Sequence, residues 1–276
     1  MIGVYSSVCR LCGPSDFRCF LEKDGYHLGR CTKCGLLQVT DDLGALDLTE
    51  VYDQEFFDET YCSIQTIKSS REKEYEKCDL RLQEIEALLP GRGSILDIGC
   101  SFGFFLDVAR QRGWKVAGVE VGEYAARVAR EDLGLEVFDE ALDEVDLPQG
   151  HFDVVTLWNV IEHLKDPVGD LRRVNNSMRE GGLLVFTTGD VDSYLRRLQG
   201  SLWRSFIPPV HLVNFSVKTV VRLLEASGFA VARVTVALPR EPLLKRLGLL
   251  ELLRRLKFSD KMMVFARKQI IPGSKT

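Results

Sequence analysis

At 276 residues, 45% apolar and 28% charged, the chain is long enough for one α/β core with a small module attached. Its formal net charge of −4 excludes a general electrostatic pull toward nucleic acid. The amino terminus has no basic patch followed by an apolar signal core, and no apolar run is long enough to cross a bilayer, so the cytoplasm is the expected compartment. Eight cysteines there read as metal ligands and buried thiols rather than as a disulfide framework.

Two C-x-x-C-G knuckles come first, Cys9-Arg10-Leu11-Cys12-Gly13 and Cys31-Thr32-Lys33-Cys34-Gly35, separated by eighteen residues. Each lets two thiolates converge on one ion over a tight turn that its glycine permits, and four thiolates close a tetrahedral Zn²⁺ site with no open position. Cys9, Cys12, Cys31 and Cys34 are therefore the expected ligands of a structural zinc, with His27 and Cys19 as bystanders. Phe17 to Leu28 alternates as a hairpin, which makes residues 1–40 a zinc ribbon. Residues 41–90 read as a helical connector. Its aromatic piece Val51 to Phe57 is expected to dock the ribbon, and its Ser69 to Leu89 stretch to form an amphipathic helix stopped at Pro90-Gly91.

From residue 91 the pattern alternates strands with helices, as a doubly wound, mostly parallel sheet requires. Seven strands are expected, at 94–98, 115–120, 135–138, 152–158, 183–188, 229–237 and 261–266. The fold class is thus α/β and Rossmann-like, with the small ribbon ahead of it. Residues 193–216, carrying Trp203, Phe206, Pro208, Pro209 and His211, read as an irregular lid or substrate wall. A Leu-rich basic segment at 243–257 reads first as a helix packed on its own domain, and second as an approach to a lipid surface.

The first of these strands runs into Asp97-Ile98-Gly99-Cys100-Ser101-Phe102-Gly103, a strand, glycine turn and helix that allow three chemistries. Gly99-x-Ser101-x-Gly103 has the letters of a hydrolase nucleophile elbow, with His211 as a late partner, but that reading leaves Asp97, Glu120 and Asn159 without a task. A dinucleotide fingerprint needs glycines where the chain has Ser101 and Phe104. Glu120, 21 residues after Gly99 at the end of the second strand, stands where an acid accepts hydrogen bonds from ribose hydroxyls.

The third chemistry uses all of them. Asp97 to Gly103, Glu120, Phe152-Asp153, Trp158 to Pro167 and Arg179-Glu180-Gly181-Gly182 resemble, in order and spacing, the motifs of class I S-adenosylmethionine-dependent methyltransferases. With the C-x-x-C-G pair, the Val51 to Phe57 piece and the His211 to Ser216 run, the chain looks like bacterial members bearing an amino-terminal zinc-binding module. The resemblance implies that Asp97 and the backbone of Gly99, Cys100, Ser101 and Gly103 hold the methionine end. It places Glu120 and Val121 at the ribose, Ala141 and Leu142 at the adenine, and Asn159 along the site wall. It also implies a small-molecule, sugar or lipid-linked acceptor in polysaccharide or secondary-product biosynthesis. For a hydroxyl acceptor a base is useful, with His211 in the lid as first choice and His163, which reads first as part of a structural turn, as second. The competing reading is a zinc-anchored binding module without catalysis.

Overall fold

The computed structural model describes residues 4–43, 63–236 and 259–270. The aromatic piece at 51–57 and the Leu-rich segment at 243–257 lie outside the described residues. By contact the described residues form two compact units, one holding residues 63–158 and 176–185, the other 4–43, 159–175, 186–236 and 259–269. Among the described residues no helix is long and apolar enough to cross a membrane.

The first sheet is antiparallel where pairings are set by the knuckles and their hairpin. β1 (Val4–Cys9) pairs with β2 (Gly13–Lys23) across the first knuckle, and β2 pairs with β3 (Tyr26–Cys31). The β2 to β3 turn is Asp24-Gly25, both at positive φ, as a two-residue hairpin of right-handed strands demands. The expected hairpin is present and longer than its alternation suggested. β4 (Leu37–Val39) follows the second knuckle, pairs with β3, and also pairs with a two-residue strand from far along the chain, β10 (Val213–Asn214).

The second sheet has seven strands and is mostly parallel, as expected. It contains β5 (Ser94–Ile98), β6 (Lys115–Val119), β7 (Val137–Phe138), β8 (Phe152–Trp158), β9 (Met178–Gly189), β11 (Phe229–Val236) and β12 (Lys261–Lys268). Their order is β11-β12-β9-β8-β5-β6-β7. β5 runs parallel to both β6 and β8, β6 runs parallel to β7, and β11 pairs antiparallel with β12. Every residue of β5 is buried, which is what a continuous apolar run predicts for a central parallel strand. β7 is shorter than expected, and β9 starts five residues early, continuing through the Gly181-Gly182 pair.

Helix α1 (Ser63–Glu86) begins earlier and ends earlier than its pattern suggested; it packs on α2 (Phe104–Gln111), with Tyr75 Oη bonded to Asp107 and Arg112 paired with Asp79 and Glu86. α3 (Glu123–Leu133) buries Ala125, Ala126 and Ala129, a small face that lets the glycine turn approach. α4 (Pro167–Ser177) starts at the proline that fixes φ for a first turn. α5 (Tyr194–Gln199) and a 3₁₀ turn at Gly200–Leu202 give the expected irregular lid more regular structure than its composition suggested. α6 (Val217–Ala226) starts at a capping box of Ser216 with Thr219. Two motifs far from the glycine turn have a mechanical role: Asp153 accepts from Ser94 N and Oγ and pairs with Arg179 at 3.0 Å, tying the start of β5 to β8 and β9.

Candidate active site

The glycine turn is built by alternation of backbone handedness. Gly99, Ser101 and Gly103 have φ of 67°, 51° and 77°, so the chain folds back on itself while Gly99 N and Cys100 N donate to Val119 O. Only glycine takes that conformation without steric cost, and Ser101 takes it with one. At Gly103 space is also decisive, since a Cβ there would collide with Leu135 Cδ1 and crowd Ala129.

Two carboxylates close this turn. Asp97 is 1% exposed at the end of β5 and accepts from Thr156 Oγ1 at 2.6 Å. Burial pushes its pKa up to about 7 against the Thr156 hydrogen bond and the Arg81 guanidinium. Glu120, at the end of β6, accepts from Ser101 N through one oxygen and from Gly122 N through the other, each at 2.8 Å. Burial raises its pKa while those two amides oppose the shift. Val121 is half-buried beside it, Ala141 accepts from Glu144 N and Val145 N in the turn after β7, and Leu142 is buried. All these groups lie in the same compact unit. They follow the carboxyl ends of β5, β6 and β7, with β5 flanked by β6 on one side and β8 on the other, the switch point at which open α/β sheets bind ligands.

Ser101 Oγ is buried and has no hydrogen-bond partner. Among the described residues no base touches it, which removes the geometry a nucleophile elbow needs. An orphaned hydroxyl and two buried acids around a turn framed by Gly99 and Gly103 fit a ligand that brings an ammonium group and sugar hydroxyls, as S-adenosylmethionine does. Sequence reasoning missed Arg81. Its guanidinium lies 4.3 Å from the Trp158 ring centroid and its charge lowers the pKa of both Asp97 and Cys78. The available signal was a charge set beside the buried stripe Cys78, Leu82 and Ile85 of α1.

A second cluster lies in the other unit. Asn159 has φ 58°, its N–H reaches Thr187 O, and its Oδ1 accepts from Lys261 Nζ at 3.1 Å. The 3₁₀ turn Ile161–His163 then places Glu162, 5% exposed, and His163 beside His211. The two imidazoles stand 4.7 Å apart edge to face, and one ligand atom from each of Glu162, His163 and His211 falls within 4.8 Å of the others. His163 Nδ1 meets Val210 O at 2.9 Å and His211 Nδ1 meets Ser205 O at 2.8 Å. Carbonyls only accept, so we assign the proton to Nδ1 in both rings, which makes the Nε2 of His211 its accepting nitrogen. Burial, then the neighbouring His163, pulls the His211 pKa down to about 3, with Lys261 acting the same way. Burial raises Glu162, opposed by His163 and Lys261. With an ammonium this close, the trio is better suited to handling a proton than to holding a cation. His163 is thus part of a turn, as expected, and also the partner of His211.

The knuckle cysteines converge as a set. Cys9 and Cys34 sulfurs are 3.5 Å apart and those of Cys12 and Cys31 3.6 Å. Tetrahedral zinc with thiolate bonds of about 2.3 Å needs sulfurs about 3.8 Å apart. Gly13 and Gly35 occupy the left-handed positions that turn each knuckle. A hydrogen bond from Cys34 leads the causes that draw the Cys9 pKa down to about 5. His27 is bonded to Asp41 and Cys19 is exposed, so both stand apart from the cluster.

A family model described as a methyltransferase domain matches residues 70–234. A ubiquinone biosynthesis O-methyltransferase from Thiobacillus denitrificans is 31% identical over 177 residues, covering 56% of this chain and 76% of that protein. The protein of the same description from Albidiferax ferrireducens is 32% identical over 117 residues, which are 40% of this chain and only 46% of that one. Among solved structures, an S-adenosylmethionine-dependent methyltransferase from Mesorhizobium loti aligns with a TM-score of 0.51 and 27% identity over 67% of this chain and 96% of that one.

Proposed function

We propose, from the premise that the chain belongs to the methyltransferase domain family and is an S-adenosylmethionine-dependent methyltransferase, that it methylates an acidic hydroxyl of a small-molecule acceptor with His211 as the base. The observation that carries the reading is the His211 ring, fixed through Nδ1 and kept neutral by burial. O-methylation also agrees with the printed description of the relatives.

S-adenosylmethionine supplies a methyl that is already electrophilic, so the chain has mainly to bind, align and exclude water. In this reading Asp97 meets the ammonium of the methionine moiety. The Gly99 to Gly103 backbone carries its chain, Glu120 and Val121 the ribose, and Ala141 and Leu142 the adenine. Glu120 keeps acceptor capacity after binding its two amides, because each carboxylate oxygen has a second lone pair. Arg81, beside Asp97, is suited to the ligand's carboxylate. Asn159 acts indirectly, by orienting Lys261.

His211 Nε2 takes the acceptor's proton, and the buried Glu162 steadies the charge that then forms on the imidazole pair. Burial disfavours the imidazolium, so proton transfer to this ring is easier from a more acidic hydroxyl, and phenols and enols are better matched than saccharide alcohols. The broader polysaccharide or secondary-product reading is kept as the remainder of the same test. Cys9, Cys12, Cys31 and Cys34 hold a structural zinc. Turnover of S-adenosylmethionine against phenols, sugar nucleotides and lipid-linked saccharides tests the reading. Phenol turnover that falls at least tenfold in His211→Gln, with cofactor affinity retained, supports it. Saccharide turnover alone, or an unaffected variant, removes it.

A further inference from the structure

The four knuckle cysteines are alike in the sequence and unlike in their surroundings. Cys9, Cys31 and Cys34 are buried and Cys12 is half-buried, with the sulfur of each within 4.8 Å of the others. Around a divalent ion four thiolates make a doubly negative centre, and burying that charge is favourable only where donors meet the sulfurs. The knuckle backbone supplies one of them, Cys34 N donating to Cys31 Sγ at 3.5 Å. Cys31 has a second partner. Ser15 Oγ stands 3.2 Å from its sulfur, and among the described residues no other side chain apart from the cysteines themselves reaches any of the four.

The placement follows from the strands. β2 pairs Phe17 with Cys31 at the end of β3, and Ser15, two residues before Phe17, falls on the same face of β2. The backbone carbonyl of Asp16 holds the next residue of the second knuckle, accepting from Thr32 N at 2.9 Å and from Thr32 Oγ1 at 3.0 Å. β2 thus fixes the start of this knuckle on both sides of the Cys31 sulfur. Ser15 Oγ also lies 3.4 Å from Asp16 O, so its hydroxyl has two acceptors within reach. While Cys31 is a thiol, its own proton is donated to Ser15 Oγ. Once a metal displaces that proton to solvent the sulfur can only accept, and the hydroxyl turns toward it.

We propose that Ser15 is a positioning residue of the metal centre, its hydroxyl donating to the metal-bound Cys31 thiolate. The inference rests on the reading of the four cysteines as zinc ligands and is independent of the acceptor and of the base. Full-length wild type, Ser15→Ala, Ser15→Thr and Ser6→Ala are compared by chelator competition for Zn²⁺ and by absorption of the Co²⁺-loaded protein. Ser6 is the control, because it lies on the neighbouring β1 and its hydroxyl reaches Asp16 Oδ1 and no sulfur. Zinc affinity should fall by about tenfold or more in Ser15→Ala, the range of a lost outer-shell partner, and persist in Ser15→Thr and Ser6→Ala. The thiolate-to-cobalt charge-transfer band should move to lower energy in Ser15→Ala alone, since a sulfur relieved of a donor gives up electron density more readily. That band reads the sulfur itself, so a role confined to packing leaves it unmoved. The inference is overturned by an unmoved band or undiminished zinc affinity in Ser15→Ala, by an equal loss in Ser6→Ala, or by a loss that threonine does not restore. A wild type that takes up neither ion removes the zinc reading and this inference with it, whereas a metal-loaded wild type matched by Ser15→Ala removes the inference alone.

Discussion

Glu120 holds two backbone amides with its two oxygens, so Glu120→Gln leaves one amide facing an amino group. Affinity for S-adenosylmethionine, measured by calorimetry, should fall by on the order of ten- to a hundredfold, the range of a lost charge-assisted hydrogen bond. Ser101→Gly should do the opposite for stability. It removes a side chain from a left-handed position and a buried hydroxyl without a partner, and should raise the unfolding free energy by about 1 kcal/mol in urea titrations while cofactor binding persists. His211 gives a pH signature. Between its ordinary 6.5 and its folded value of about 3, the unfolded chain binds a proton that the folded chain refuses, so stability declines as pH falls through that window. Asp97 has the reverse sign: from 3.8 up to about 7 the folded chain keeps a proton that the unfolded one releases, so its contribution declines as pH rises. Denaturation at pH 5.5 and 7.5 should therefore show a smaller acid-side loss in His211→Gln than in the wild type. These residues were legible because backbone handedness and strand ends restrict residue type locally. Arg81 was not, since its position beside Asp97 depends on how α1 packs.

At the scale of elements, the buried central strands follow their apolar runs, whereas α1, β9 and the two-residue β10 depend on their surroundings. β5 and β8 begin and end where the apolar runs place them, and α4 begins at Pro167. β10 has two residues and no pattern of its own, and its pairing partner, β4, lies some 175 positions away in the chain, at Leu37↔Asn214 and Gln38↔Val213. A ladder that small is specified by its surroundings: Val39 N donates to Leu212 O, and Arg222 donates to Cys34 O from α6. Arg222→Ala should loosen this edge, seen as faster hydrogen exchange at residues 212–214 with no change in the glycine turn. The lid's partial order has the same origin, because Trp203 and Phe206 pack on residues of the hairpins, which local composition does not reveal.

For the whole molecule, the two compact units carry separate ligand sets. The acids and glycine turn fall in the unit of residues 63–158 and 176–185, and the knuckle cysteines with His163 and His211 in the other. Cofactor should protect amides at 97–103 and 120–122, whereas chelation should expose amides of β3, β4 and β10, and hydrogen exchange read by mass spectrometry separates the two effects. The seven strands and their mostly parallel run followed from alternation, but their order and the partition did not, because residues 159–175, 186–236 and 259–269 join the amino-terminal strands through contacts of long sequence range. The pairing of β4 with β10 then has a thermodynamic corollary. Cys34 lies three residues before β4 and His211 two before β10, so the ladder joins the stretch of chain after the second knuckle to the one after His211. Should the four sulfurs hold the proposed zinc, an acceptor that steadied His211 through this ladder would tighten their grip on it by the factor by which the metal tightened acceptor binding.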